Sequence, residues 1–404
     1  MAEKRSSRLI NFLWHNSAVV GITMSTTLIF AFATLYLHEY IKVSNFMVGV
    51  AASLSHVISV VLSPLAGTLS DNVRTPWGRR RPFILGGAIA AALFIAIMPH
   101  ILNYWLFLVC VSLFFVFSVG YQIPFYALIP EMAGEGQRGV YSTFTGLLRL
   151  LGATLLLGVG GWFWARNPAF PFYLTALVIV LTAVITVVSV REDGGGRLPE
   201  EDKIGIFKNF RRYVRDLLAQ KKIFMFFGAQ FCWWLGLGAL MPFATIMLKE
   251  LYHIDVSQLF DLGPIVIIGG VLLVAAIIGA GVLGDKWGHR RVVMVGLVLL
   301  TVGSFIAFFV REMSLVYIAG LFVIVGVAPL FNEPFALLAE LIPKGREGEF
   351  YGLDTISITL SQVPAALVGG AVIDAFGYTA MYLILTAAAL LAMLLMWLPS
   401  RLSA

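Results

Sequence analysis

The fold class this sequence predicts is an all-α membrane protein, with twelve transmembrane helices in two pseudo-symmetric six-helix bundles. Three observations predict it. The 404 residues are 59% apolar and only 12% charged, whereas water-soluble domains run at about 45–50% apolar and about 25% charged. The apolar residues gather into twelve runs, each near the ~20 residues a helix needs to cross a bilayer. Landmarks of the first half also recur in the second. The composition excludes an ordinary water-soluble enzyme, a disordered chain and a disulfide-stapled module. Twelve spans and their loops use nearly the whole length, so no sizeable soluble domain is expected.

The first run, roughly 12–37, follows the polar and basic stretch Met1 to Ile10 and has the length of a span rather than of a cleaved leader. Runs at 45–69, 83–101, 104–130, 140–164 and 170–190 complete a first bundle over residues 1–190. A charged, Gly-rich linker over 191–222 leads to a second bundle over 223–404. Its runs lie at 223–249, 260–283, 292–310, 314–342, 350–373 and 378–399. Helices are expected because backbone facing lipid must satisfy its own hydrogen bonds, and these runs are far longer than barrel strands. In the linker, Ile204, Phe207, Phe210, Val214 and Leu218 recur at helical spacing among lysines and arginines. That pattern predicts an amphipathic helix on the membrane surface.

Basic residues set the expected topology. The even-to-odd loops and both termini carry nearly all of them, including Lys4, Arg5, Arg8, Arg79, Arg80, Arg81, Arg290, Arg291 and Arg401. The opposite side has Lys42, Arg166, Lys249 and Arg311. Lys/Arg excess marks the cytoplasmic face, so both termini are predicted inside a cell membrane. The net charge of +6 then reflects topology and contact with anionic lipid, and no nucleic-acid partner is expected. Cys110 and Cys232 lie in apolar runs without ligand spacing, so neither metal nor redox cofactor is expected.

An internal repeat ties the halves together. Gly67-Thr68-Leu69-Ser70-Asp71 with Gly78-Arg79-Arg80-Arg81 reappears as Gly281-Val282-Leu283-Gly284-Asp285 with Gly288-His289-Arg290-Arg291. Pro124-Phe125-Tyr126-Ala127-Leu128 with Glu131 is echoed by Pro334-Phe335-Ala336-Leu337-Leu338 with Glu340. Both landmarks sit about 210 residues apart, a period too well matched for chance. A two-fold repeat of six spans is the layout of secondary transporters, which bind substrate near the bilayer midplane where the repeats meet. No Gly-x-x-x-x-Gly-Lys-Ser/Thr pattern occurs to indicate ATP-driven transport within this chain.

At these residues the chain resembles the major facilitator superfamily, and more narrowly the glycoside–pentoside–hexuronide sugar transporters and the plant sucrose transporters. Ser63-Pro64-Leu65-Ala66-Gly67-Thr68-Leu69-Ser70-Asp71 followed by Gly78-Arg79-Arg80-Arg81-Pro82 is similar to the sucrose-type loop between helices 2 and 3. Ile123-Pro124-Phe125-Tyr126-Ala127-Leu128-Ile129-Pro130 resembles the helix 4 end of the bacterial sugar–cation branch, and Ala339-Glu340 to Glu349-Phe350-Tyr351 its helix 10–11 turn. The resemblance implies alternating-access sugar transport. Departures from it narrow the expectation. The paired helix 2 aspartates of the sodium-coupled branch fall at Ser59 and Ser63, its helix 4 carboxylate at Gln122, its helix 1 carboxylate near Thr23 and its helix 11 lysine near Thr359. A sodium site needs such carboxylates, so sodium coupling there is not expected. The sucrose branch's helix 4 aspartate and arginine fall near Phe115 and at Tyr126, which argues against sucrose itself.

Ionisable residues inside spans are costly and default to functional candidates. Arg149, about ten positions into the fifth run, offers a fixed fork of donors to a carboxylate or to sugar hydroxyls. Aromatic, hydroxyl and amide groups suited to sugar are Thr23, Gln122, Tyr126, Gln230, Trp233, Trp234, Asn332, Thr359 and Gln362. Glu333, in a span interrupted by Pro329 and Pro334, and Asp354, a turn into span 11, are the candidate proton carriers. His56 reads as a packing residue. Asp71, Arg79, Arg80, Glu131, Asp285, Arg290, Arg291 and Glu340 form a candidate cytoplasmic gate, with salt bridges duplicated by the repeat. Exposed pairs contribute only about 0–1 kcal/mol each, a scale that suits states of nearly equal energy.

The expected protein is a monomeric, non-enzymatic transporter of a small sugar or glycoside working by proton symport in the lipid bilayer. A uniporter or exporter of another organic solute stays open as an alternative, and a non-transporting receptor or scaffold as a weaker one. An intramembrane enzyme is weaker still, since no His/Asp/Glu cluster gathers within one segment.

Overall fold

The computed structural model describes residues 13–73, 75–132, 138–190, 221–259, 263–310, 312–342 and 347–401. Among these, twelve helices are long and apolar enough to cross a membrane. They are α1 (Ala18–Ile41), α2 (Asn45–Ser63), α3 (Arg81–His100), α4 (Tyr104–Leu128), α5 (Phe144–Trp164), α6 (Phe170–Ser189), α7 (Lys222–Tyr252), α8 (Ile268–Trp287), α9 (His289–Phe309), α10 (Leu315–Leu341), α11 (Leu353–Phe376) and α12 (Ala380–Trp397). The predicted surface helix between Ile204 and Leu218 lies outside the described residues.

Local chemistry accounts for several helix ends. Ser44 caps α2, its hydroxyl accepting from the Met47 amide at 3.4 Å. Prolines open α3 and α6 near their first positions, where an amide hydrogen would have no partner. The two glycines shared by the repeated loops both turn left-handed, Gly78 at φ 111° and Gly288 at φ 91°. A side chain would be strained at either, which explains why both copies carry glycine. α1 is less regular than its sequence suggests, with π-helical stretches at Leu28–Ala33 and Leu37–Ile41 before it ends at a left-handed Lys42.

The chain divides into two compact units, Met1–Gly195 with Pro242–Pro264, and Gly196–Met241 with Ile265–Ala404. The helix partners repeat between them. In the first unit α1 packs on α5 and α6, and α3 on α4 and α6; in the second α7 packs on α11 and α12, and α9 on α10 and α12. Small residues permit a close crossing of α9 and α10, where Gly326 of α10 leaves only 2.5 Å between a would-be Cβ and the Leu300 amide of α9. The second unit's core includes Phe226, Trp233, Leu297, Leu330, Phe350 and Leu385.

The first unit also takes in Pro242–Pro264, a segment well beyond the linker. α7 is broken at Met241–Phe243, where Pro242 has no N–H to donate. Its first segment, Lys221–Leu240, belongs to the second unit, and its second, Ala244–Tyr252, to the first. That second segment is fastened to α1. Thr245 Oγ1 donates to the carbonyl of Ala31 at 2.8 Å, Lys249 pairs with Glu39, and His38 Nε2 stands 3.4 Å from Glu250. The following turn, Val256–Leu259, lies against Gly161, where a Cβ would meet the Val256 carbonyl oxygen at 2.7 Å.

Candidate functional site

In the first unit the candidates gather on α1, α4 and α5. Arg149 is exposed, and among the described residues its partner is Tyr126. Its Nη2 donates to the Tyr126 hydroxyl at 3.4 Å, and its Cζ stands 5.8 Å from the centre of that ring. A cation over an aromatic face is held by the ring's negative centre. Four residues before Tyr126 on α4, one helical turn, Gln122 donates through Nε2 to Ser118 at 2.6 Å. Thr23 of α1 is half-buried and faces Gly152 of α5, one turn beyond Arg149. A guanidinium, a phenol, an amide and a hydroxyl are the donors and acceptors that a polyol engages. His56 stacks on Phe30 with centroids 6.0 Å apart.

The second unit holds its candidates in two groups. On α7 and α11, Gln230 and Asp354 are 1% and 2% exposed, and the Gln230 side chain hydrogen-bonds the Asp354 carboxyl. Each keeps an oxygen with no partner among the described residues, Gln230 Oε1 and Asp354 Oδ1. Trp233 is fully buried in the core with its ring edge-on to Phe226, whereas Trp234 is partly exposed and edge-on to Phe331. Gln362 Nε2 donates to the Trp234 carbonyl at 3.0 Å. Asn332 is exposed on α10, and Thr359 spends its hydroxyl on the Thr355 carbonyl of its own helix at 2.9 Å.

The other group lies where α8, α9 and α10 converge near the α8–α9 turn. Glu333 is 2% exposed and its Oε2 lies 2.7 Å from His289 Nδ1. The opposite ring nitrogen, Nε2, stands 3.9 Å from Asp285 and 3.8 Å from Glu340. Those two side chains are 80% and 58% exposed. The expected arginine partners take other positions. Arg290 Nη2 donates to the Met396 carbonyl on α12, and Arg291 is exposed. The reason is helical phase, since successive residues differ by about 100° around a helix with 3.6 residues per turn. At the matching turn of the first unit, Arg80 is 5% exposed and donates from Nη1 to the Ala127 carbonyl at 2.8 Å, with Arg79 half-buried beside it. Asp71 and Glu131 occupy helix ends, and their side chains lie outside the described residues.

Two features were missed in the sequence. His289 stood in plain view at the position where the first repeat has Arg79, four residues from Asp285, and that spacing was the available signal. The Glu39–Lys249 pair left no local signal, because it joins residues 210 positions apart.

The fold matches transporters of known structure over almost its full length. A bacterial homologue of the human lysosomal transporter Spinster superposes with a TM-score of 0.74, 12% identity, and coverage of 98% of this chain and 97% of that one. A D-xylose-proton symporter superposes with a TM-score of 0.72, 16% identity, and coverage of 96% and 97%. These likenesses show the fold, one shared with transporters and carrying twelve candidate membrane spans. The chain belongs to the family described as MFS/sugar transport protein, whose profile matches residues 15–404. It is therefore a membrane transporter and not an enzyme.

Individual relatives are distant and differ in what they are named for. A multi-drug resistance efflux pump PmrA homolog of Lactococcus lactis is 24% identical over 376 residues, covering 91% of this chain and 88% of its own. The lactose permease of Lactobacillus helveticus is 24% identical over 204 residues, 42% of this chain and 31% of that one. An uncharacterized symporter of Synechocystis is 26% identical over 147 residues, 33% of this chain. The match with the Synechocystis protein spans 27% of that relative's length.

Proposed function

We propose that this protein carries a small sugar or glycoside across a cell membrane by alternating access, with a proton as the coupled ion. The observation that carries the substrate reading is Arg149. It is an ionised group inside a membrane span whose partner among the described residues is the Tyr126 phenol rather than a carboxylate. A structural ion pair does not account for its cost in lipid. A planar fork of donors on an aromatic ring, with Gln122 one turn from Tyr126 on α4 and Thr23 against Gly152 of α5, suits paired hydroxyls and a sugar's apolar face. The family's description and the named sugar permeases among the relatives support the same class of substrate.

Proton coupling rests on two carboxyl groups, Glu333 and Asp354, that are each 2% exposed and have no lysine or arginine partner among the described residues. A buried carboxyl either takes up a proton or needs a permanent cation. The remaining Asp354 oxygen has no donor among the described residues. The basic-residue bias supports a cytoplasmic location for both termini and for the α8–α9 turn.

The test is thermal unfolding of the purified protein in lactose, D-xylose and other sugars at two pH values, because a ligand stabilises the state that binds it. Stabilisation by a sugar in the wild type, reduced in Arg149→Gln, is expected. A second reading, export of another organic solute, is favoured by the nearly full-length match to an efflux pump homologue. Stabilisation by lipophilic cations and by no sugar would establish that reading instead.

A further inference from the structure

Three of the positions at which the second half departs from the repeat are brought together by the fold. Aligned on Asp71 and Asp285, Ser70 becomes Gly284; aligned on Gly78 and Gly288, Arg79 becomes His289; aligned on Pro124 and Pro334, Ile123 becomes Glu333. They come from α8, α9 and α10, and they touch. Glu333 Oε2 and His289 Nδ1 are 2.7 Å apart. A Cβ on Gly284 would stand 2.6 Å from that Nδ1 and closer still to Glu333 Oε2. The missing side chain is what lets the carboxyl and the imidazole meet against the α8 backbone. The pair is also graded in exposure, from Glu333 at 2% through His289 at 18% to Glu340 at 58% and Asp285 at 80%.

We propose that His289 is the relay that passes a proton from Glu333 to the solvent at the α8–α9 turn. This rests on the reading of Glu333 as a proton carrier. In the step, the protonated Glu333 gives its proton to Nδ1, forming an imidazolium beside a carboxylate. Nε2 then releases its own proton to water next to Asp285 and Glu340. The sum is one proton moved from a buried oxygen to bulk water, and the partly exposed ring regains its starting tautomer by exchange with solvent. An imidazole suits the task because its ordinary pKa lies near neutrality and its two nitrogens face opposite ways. The charged groups around it are accounted for. Glu333 and Glu340 face it from α10 and Asp285 from α8, while on its own helix Arg290 is turned to the Met396 carbonyl and Arg291 is exposed. The first repeat, with an arginine that cannot give up its proton in the corresponding place, is built for fixed charge.

The relay is tested without a known substrate, by time-resolved infrared spectroscopy of the purified protein after a pH jump. The Glu333 carboxyl band is assigned by its loss in Glu333→Gln. His289→Asn and His289→Arg should each slow deprotonation of Glu333 by about 100-fold, the scale of a positioned acid–base group. Free imidazole should restore the rate in His289→Ala. The double variant Asp285→Asn/Glu340→Gln changes only exposed side chains, so it tests the exit step should the histidine variants fail to fold; slower release is expected there too. An unchanged rate in either set overturns the relay, and so does a normal rate in His289→Arg, which would make the residue a fixed charge. Failure of the symport reading looks different. Proton release through His289 would persist while sugar flux in vesicles moved no protons.

Discussion

Gly284→Ala sets two physical effects of opposite sign against each other, and the structure decides between them. In a helix interior, alanine is favoured over glycine by about 0.8–1 kcal/mol. At Gly284 the new methyl would stand 2.6 Å from His289 Nδ1 and closer still to Glu333 Oε2, so the pair must part. A hydrogen bond to a charged group contributes about 1.5–3 kcal/mol, and a buried polar group left without a partner costs about as much as that. With Glu333 only 2% exposed, the loss outweighs the gain, and a net destabilisation of about 1–2 kcal/mol is expected. Gly279, on the same helix, is the control, because nothing lies within 4 Å of a Cβ there. Gly279→Ala should therefore hold or raise stability. Unfolding midpoints of the two purified variants, measured side by side in one detergent, should differ by several degrees with Gly284→Ala the lower. If Gly284→Ala melted with Gly279→Ala or above it, the carboxyl–imidazole contact would not exist as described.

Other outcomes follow from the same structure. A double-mutant cycle on Glu39→Gln and Lys249→Met should give a coupling of about 1 kcal/mol, since both groups are partly exposed; zero coupling would remove this pair as the tie between α1 and the second segment of α7. Gly326→Leu should prevent folding or cost about 3 kcal/mol or more, because its side chain would enter the α9 backbone; near-native expression and melting would contradict the α9–α10 crossing. Arg149→Lys keeps the charge but loses the planar fork, so sugar affinity should fall about tenfold or more, the equivalent of one charged hydrogen bond. Equal affinity in a binding titration would remove Arg149 from substrate recognition.

The membrane spans were legible because a bilayer imposes length and composition on each helix separately, and every one of the twelve runs read from the sequence overlaps one of the helices. Helix boundaries were less so. α8 ends later than its apolar run because the helix carries on through Gly284, Asp285 and Lys286 to Trp287, just before the left-handed Gly288. The break in α7 could be seen at Pro242, but its consequence, the docking of Ala244–Tyr252 onto α1, depends on Thr245 and Lys249 finding partners more than 200 positions away. The candidate residues were recognised one at a time by the cost of charge in lipid. Which of them pair was hidden, because pairing depends on helical phase. Asp285 was expected to meet an arginine and meets His289, while Trp233, read as a possible platform, lies in the packed core.

The central claim is that sugar and proton move together through this protein. The direct measurement is the current evoked by a lactose or D-xylose jump on vesicles holding the purified protein on a solid support, at equal pH across the membrane. A transient current carrying positive charge with the sugar, abolished by Arg149→Gln and insensitive to sodium, is the predicted result. Sugar uptake that is electrically silent and unaffected by a pH gradient would contradict it.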